Sequence, residues 1–251
     1  MADNRAGLAV AALEGIPEVR PGDDLAGLLG DAIERLLDDR PGFGPLRSDD
    51  VLVVTQKVVS KAENAIVDLT TIEPRPEAVT FAERWPRDPR QIEVVLREAR
   101  RVVRMANGVL ITETSHGFVC ANGGIDASNV GPATGSIVIL LPADPDASAA
   151  AIRSTLAGRL GVDLPVIISD SFGRPWRWGI VDVAIGASGL VPLEDLRGTP
   201  DADGRTMSST VRAVADEIAS AAELTLGKAA GRPRSCAGRI RSAARSRSGR
   251  H

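Results

Sequence analysis

Apolar residues recur at Leu25, Leu28, Leu29, Ile33, Leu36 and Leu37, directly behind Gly22-Asp23-Asp24. This spacing predicts an amphipathic helix opened by an aspartate cap. The period then changes. Val51-Leu52-Val53-Val54 is a continuous apolar run and predicts a buried strand, with Val58-Val59-Ser60-Lys61-Ala62-Glu63 continuing from it after a polar break. Residues 70–90 are rich in Pro, Arg and Glu and predict surface connections. Helical spacing returns behind Asp88-Pro89 at Ile92, Val95, Leu96, Ala99, Val102 and Val103, enough for about four turns. Val109-Leu110-Ile111-Thr112 and Phe118-Val119-Cys120 predict a strand pair around Ser115-His116-Gly117.

Ile137 to Leu141 predicts another strand, stopped by Pro142. Asp144-Pro145-Asp146-Ala147-Ser148 opens an alanine-rich helix to Leu160. Pro165 to Ser169 and Val181 to Gly186 predict strands, and Val211 to Leu226 a helix. Strands and helices mix without strict β-α-β alternation, so the predicted fold class is α+β.

At 251 residues, 43% hydrophobic and 25% charged, the chain suits a soluble globular protein. Its apolar runs are too short to span a bilayer, and Met1-Ala2-Asp3-Asn4-Arg5 carries no secretory pattern. Two cysteines, Cys120 and Cys236, make no disulfide framework, and the cytoplasm is the expected compartment. Cys120 reads as a small core residue. The net charge of −3 hides an asymmetry. No acid follows Glu223, whereas residues 228–251 hold Lys228 and seven arginines. Without aromatics or periodicity, this basic tail is expected to be disordered rather than to bind nucleic acid.

Two stretches carry candidate chemistry. Gly123-Gly124-Ile125-Asp126-Ala127-Ser128-Asn129 and Ser169-Asp170-Ser171-Phe172-Gly173-Arg174-Pro175-Trp176-Arg177 each set an aspartate beside hydroxyl or amide groups in what reads as a glycine-bounded turn. Such carboxylates suit a hard cation like Mg²⁺, and the two can share one ion where the fold brings the turns together. Ser171 can serve a second cation, and Asn129 a phosphate or base. Arg174 and Arg177 can hold an anion. Lys57 and Lys61 follow a strand and can neutralise phosphates. His116 stands without a second His or Cys cluster, so zinc is not expected. Trp176 and Trp178 suit core or interface packing better than ring stacking. Asp182, Asp195, Arg197, Asp201 and Asp203 read as a polar loop cluster. No Ser-His-Asp or Cys-His set can be assembled, and neither common phosphate-loop signature occurs. The reading is metal-assisted phosphoryl transfer.

The chain resembles the coenzyme F-420-0:L-glutamate (gamma-glutamyl) ligases, including the N-terminal domain of the actinobacterial two-domain form. The segments are Gly15-Ile16-Pro17-Glu18 with Pro21-Gly22-Asp23-Asp24, Val54 to Glu63, His116 to Val130, Ser169 to Arg177, Ala184 to Gly189 and Ala215 to Ala222. The resemblance covers roughly residues 8–230, leaving 231–251 as the basic tail. It implies an α+β subunit of two structural subdomains in an intertwined homodimer with the groove at the interface. It also implies GTP as co-substrate, with coenzyme F-420-0 and L-glutamate as the other substrates and no membrane or nucleic-acid partner. Two divalent ions, Mg²⁺ or Mn²⁺, are implied, with a monovalent cation such as K⁺ as a further candidate. By motif, the metal aspartates fall on Asp126 and Asp170, and the second metal's hydroxyl on Ser171. GTP contacts fall on Ile16, Pro17, Glu18, Val19, Gln56, Lys61 and Asn129.

The chain also departs from that family's pattern. Thr210 is followed by Val211 where members often carry an acid. Trp178 and Ile180 stand where many have polar residues, and Arg232-Pro233-Arg234-Ser235-Cys236 stands where an apolar strand usually follows. Two readings result. One is a GTP-dependent ligase working through an acyl phosphate and extending a γ-linked glutamate tail. The other is a non-catalytic GTP/GDP-binding module with an altered C-terminus.

Overall fold

The computed structural model describes residues 8–127, 135–226 and 237–242. Its main sheet has five strands: β1 (Leu8–Ala12), β12 (Ala237–Ser242), β2 (Asp50–Thr55), β8 (Val166–Arg174) and β9 (Arg177–Ser188), in that spatial order. β2 and β8 run parallel, with Leu52 level with Val166 and Thr55 level with Ser169. The other pairings in this sheet are antiparallel.

Both faces of the sheet are covered, which is why β2 and β8 read as unbroken apolar runs. Alternate residues point to opposite faces. Leu52, Val54, Val166 and Ile168 enter one core with Leu29, Ile33 and Leu36 of α1 (Leu25–Asp39) and Leu156 of α5 (Pro145–Leu160). Val53 and Ile167 enter another with Ala215, Ala219, Ala222 and Leu226 of α6 (Val214–Leu226). Asp24 caps α1 as predicted, accepting from the Gly27 N–H at 2.9 Å. Gly186 lets α5 lie close on β9, since a Cβ there would sit 2.4 Å from the Pro145 carbonyl carbon.

A three-stranded antiparallel sheet is made by β4 (Ala99–Ala106), β5 (Val109–Thr114) and β6 (Val119–Ala121). It shares a core with α3 (Pro76–Arg84) and α4 (Pro89–Glu98) through Ala78, Phe81, Ile92, Val95 and Leu110. Between α2 (Gln56–Ala62) and this unit lies the pair β3 (Ile66–Asp68) and β7 (Ile137–Ile139). β10 (Glu194–Asp195) and β11 (Val211–Arg212) form a separate ribbon. The mixture of helices with mixed and antiparallel sheets agrees with the predicted α+β class.

Five local expectations are corrected. Residues 56–62 are helical, not a continued strand, because Val59 turns into the α1–α5 core and Gln56 Nε2 donates to Ser60 Oγ at 2.7 Å. Residues 76–84 are a helix with Pro76 at its first turn rather than a plain connection. The helix behind Asp88 stops at Glu98, and Val102 and Val103 lie in β4 because pairing with β5 overrides the helical spacing. Val211 pairs with Asp195 in β11, ahead of the helix. The fifth concerns the tail. Residues 237–242, expected to be disordered, form β12 between β1 and β2, which supplies hydrogen-bonded neighbours on both sides. The rest of the tail lies outside the described residues.

Candidate functional site

α2 starts where β2 ends, at the carboxyl end of the parallel β2–β8 pair. Open sheets bind ligands beyond such strand ends. The helix sets Lys57 and Lys61 one turn apart on one face. Lys61, largely buried, donates to Glu18 Oε1 at 2.5 Å. Lys57 pairs with Asp126 Oδ2 at 2.5 Å. One helix face therefore ties the Gly15–Val19 segment to the Asp126 turn, two motifs more than a hundred residues apart in sequence. Gln56 is buried beneath them and also donates to the Leu140 carbonyl at 2.8 Å. The side chain of Val19 belongs to the core, so only its backbone can meet a ligand.

The glycine pair ahead of Asp126 has a steric reason. Asn122, Gly123 and Gly124 all take positive φ, at 52°, 62° and 71°. A Cβ on Gly124 would lie 2.9 Å from the Leu141 methyls. The chain then straightens, and Asp126 exchanges backbone hydrogen bonds with Ile139 at 3.0 and 2.8 Å. Asn129 lies outside the described residues.

Asp170 is not in a turn. It lies inside β8, paired with Val183, one residue past the level of Thr55. Ser171, the next residue, projects from the opposite face of the strand. Its hydroxyl donates to Asp182 Oδ1 at 2.7 Å, while Ser169 Oγ donates to Oδ2 at 3.1 Å. Asp182 is thus a buried strand residue held by two serines, not part of a solvated cluster with Asp195, Arg197, Asp201 and Asp203. On the Asp170 side lies Cys120. Burial first, and the Asp170 charge second, push its thiol up to about 11. It stays protonated, as a core cysteine should.

His116 is structural as read. Its Nε2 faces the carbonyl oxygens of Pro142 and Ala143 at 2.9 and 3.1 Å, and its ring stacks on Phe118. Trp176 and Trp178 are not in the core of the protomer. Both are 99% exposed at the β8–β9 hairpin tip, where Arg174 donates to the Trp178 carbonyl at 2.9 Å.

The donor chemistry fits hard cations. Asp126, Asp170 and Ser171 offer oxygen only, and among the described residues no group of three or more His, Cys, Asp or Glu side chains is placed to hold a metal ion. An ion here would need oxygens from phosphates and water, the habit of Mg²⁺. Sequence reading missed the Lys57–Asp126 link. Its signal was the four-residue spacing of the lysines, legible only once that segment is taken as a helix.

The family model for F420-0:Gamma-glutamyl ligase matches residues 15–234. Coenzyme F420:L-glutamate ligase of Methanopyrus kandleri is 48% identical over 226 residues, 89% of this chain and 84% of the relative. That of Methanothermobacter thermautotrophicus is 44% identical over 223 residues, 89% and 85% of the two chains. The Methanocaldococcus jannaschii protein of the same name is 41% identical over 185 residues, covering 74% and 73%.

Proposed function

Since the chain belongs to the F420-0:gamma-glutamyl ligase family, we propose that it is a GTP-dependent ligase joining L-glutamate to coenzyme F420-0. A carboxylate oxygen of F420-0 attacks the γ-phosphorus of GTP, and GDP leaves. The amine of glutamate then attacks the acyl carbon, the C–O bond to phosphate breaks, and the nitrogen gives up a proton as the amide forms. Repetition builds a γ-linked tail. The observation that carries this reading is the joining of Glu18, Lys61, Lys57 and Asp126 on one face of α2. It sets two ammonium groups, each paired with a carboxylate, at the carboxyl end of β2, where they could meet the phosphates of a metal-bound nucleotide.

In this reading Ile16, Pro17, Glu18, Val19, Gln56, Lys61 and Asn129 hold the nucleotide. Asp126 and Asp170 hold one divalent ion, and Ser171 serves a second. Asp170 and Ser171 leave β8 on opposite faces, which favours separate ions. The metal supplies charge neutralisation on the phosphates. Lys57 and Lys61 add fixed positive charge, and Glu18 orients Lys61. The homodimer, the two-subdomain subunit and the monovalent cation belong to the same proposal. The non-catalytic reading rests on the altered C-terminal sequence and on Val211 in place of an acid, and against it β12 supplies a strand beside β2.

GDP release is measured with GTP, Mg²⁺ or Mn²⁺, F420-0 and L-glutamate. It is expected only when both acceptors are present. Asp126→Asn and Asp170→Asn are expected to lower it about a hundredfold or more with folding intact, each losing an anionic oxygen from a hard cation. GTP hydrolysis indifferent to either acceptor would overturn the reading, and nucleotide binding without turnover would favour the non-catalytic module.

A further inference from the structure

A cleft of about 370 Å³ opens beside Asp126. Ile92, Val95, Ile125 and Val138 form its apolar wall, and Arg87, Gln91, Asn122 and Asp126 its polar rim. None of its lining comes from α2 or from the Gly15–Val19 segment. Asp126 therefore joins the Lys57 ion pair on α2 to the rim of this cleft.

Arg87 is the one cationic side chain among the described lining residues. Its guanidinium donates to Asn122 Oδ1 at 3.1 Å and to the Gly108 carbonyl at 3.3 Å, both neutral acceptors. Three nearby arginines are ion-paired, while Arg84 lies over the Trp85 ring. Arg75 and Arg97 pair with Glu93, and Arg90 pairs with Asp88. Arg87 makes no ion pair among the described residues and is exposed at the cleft rim. An oriented, uncompensated guanidinium over an apolar wall suits a carboxylate carried on a short aliphatic stem.

Resting on the ligase reading above, we propose that this cleft is the acceptor subsite for L-glutamate, with Arg87 binding one of its carboxylates. Position supports it. The attacking amine must reach the acyl phosphate beside Asp126, so the amino acid must bind next to that residue yet outside the nucleotide's space. The cleft meets both conditions. Its volume lies near the lower end of small-molecule sites, roughly 300–1,000 Å³, which suits an amino acid better than a deazaflavin cofactor. Arg87 is here a binding residue, with Asn122 positioning its guanidinium.

The full chain is assayed by GDP release with each substrate varied in turn. Arg87→Ala is expected to raise KM for L-glutamate about tenfold or more, leaving KM for GTP and the rate at saturating glutamate near wild type. Arg87→Lys should recover part of the loss, since a lysine keeps the charge and loses the fork. Asn122→Asp keeps Arg87 but gives it an internal carboxylate, and should raise the glutamate KM as well. Independently of turnover, millimolar L-glutamate added with GDP and Mg²⁺ should raise the melting temperature of the wild type and not of Arg87→Ala. An unchanged glutamate KM, or a loss that falls on F420-0 instead, overturns the assignment. Absence of acceptor-dependent GDP release in the wild type would instead count against the ligase reading, and the melting experiment would still decide the subsite.

Discussion

Glu93 is a buried acid held by two arginines. It is 3% exposed on its side chain and bonds the guanidinium of Arg75 at 2.8 and 3.0 Å and that of Arg97 at 2.7 Å. The Arg75 hydrogen bonds chiefly, against the opposing effect of burial, draw its pKa from 4.5 to about 2. A depressed acid stabilises the fold above its unfolded value and loses that contribution as pH falls towards the folded value. Stability linked to Glu93 is therefore full above about pH 5 and fades between pH 4.5 and 2. Both arginines are nearly half exposed, so water screens the pair and the contribution is on the order of 2 kcal/mol. Glu93→Gln should lower the melting temperature by roughly 5 °C at pH 7. It should also flatten the acid limb of a melting-temperature-against-pH plot. Equal slopes in the two proteins would remove Glu93 from the acid response. The site residues behave differently in the sequence. Asp126 was legible because Gly-Gly ahead of it demands a left-handed turn, and the structure has one. Asp170 was misplaced because an aspartate flanked by serines in Ser169-Asp170-Ser171 looks like turn chemistry, while pairing with β9 keeps it extended.

At the scale of elements, reading succeeded where burial alone sets the pattern. α1, β2, α5 and the core of β8 each carry a single apolar period matched to one or two cores. It failed where partners distant in sequence decide. Val58-Val59 favours a strand locally, yet packing against α1 makes α2 a helix. Val102-Val103 fits a helix stripe, yet β5 captures it. β12 is the extreme case, since a short Arg- and Gly-containing segment offers no apolar alternation and becomes a strand only because β1 and β2 flank it. The consequence is testable. A chain ending at Cys236 loses β12, leaving β1 without its partner and β2 with an open edge. It should aggregate or lose cooperative melting, whereas a chain ending at Ser242 keeps all five strands and should melt near the full chain. A soluble, cooperatively melting protein ending at Cys236 would show that β12 is dispensable.

At the scale of the molecule, the β8–β9 hairpin exposes a large apolar tip. Trp176 and Trp178 are 99% exposed and Ile180 57% exposed, in a chain with three tryptophans and no tyrosine. Each indole offers roughly 150–250 Å² of contact area, so the tip alone reaches the upper range of exposed apolar patches on monomers. The tip begins at Arg174, four residues beyond Asp170, or about 13 Å at the strand rise of about 3.3 Å per residue. The indoles are thus set away from Asp170 along the strand, and a surface suits them as cover. Within the homodimer proposed above, that surface is the second copy. A paired set of hairpins contributes a large part of the roughly 1,600 Å² that stable interfaces bury. Light scattering on a sizing column should give the wild type the mass of two chains. The double variant Trp176→Glu with Trp178→Glu should shift it towards one, with circular dichroism unchanged because these side chains lie bare in the protomer. If the groove is completed by both copies, GDP release should fall with the dimer and recover at high protein concentration. A monomeric wild type, or a double variant that stays dimeric, would show that the hairpin is not the interface.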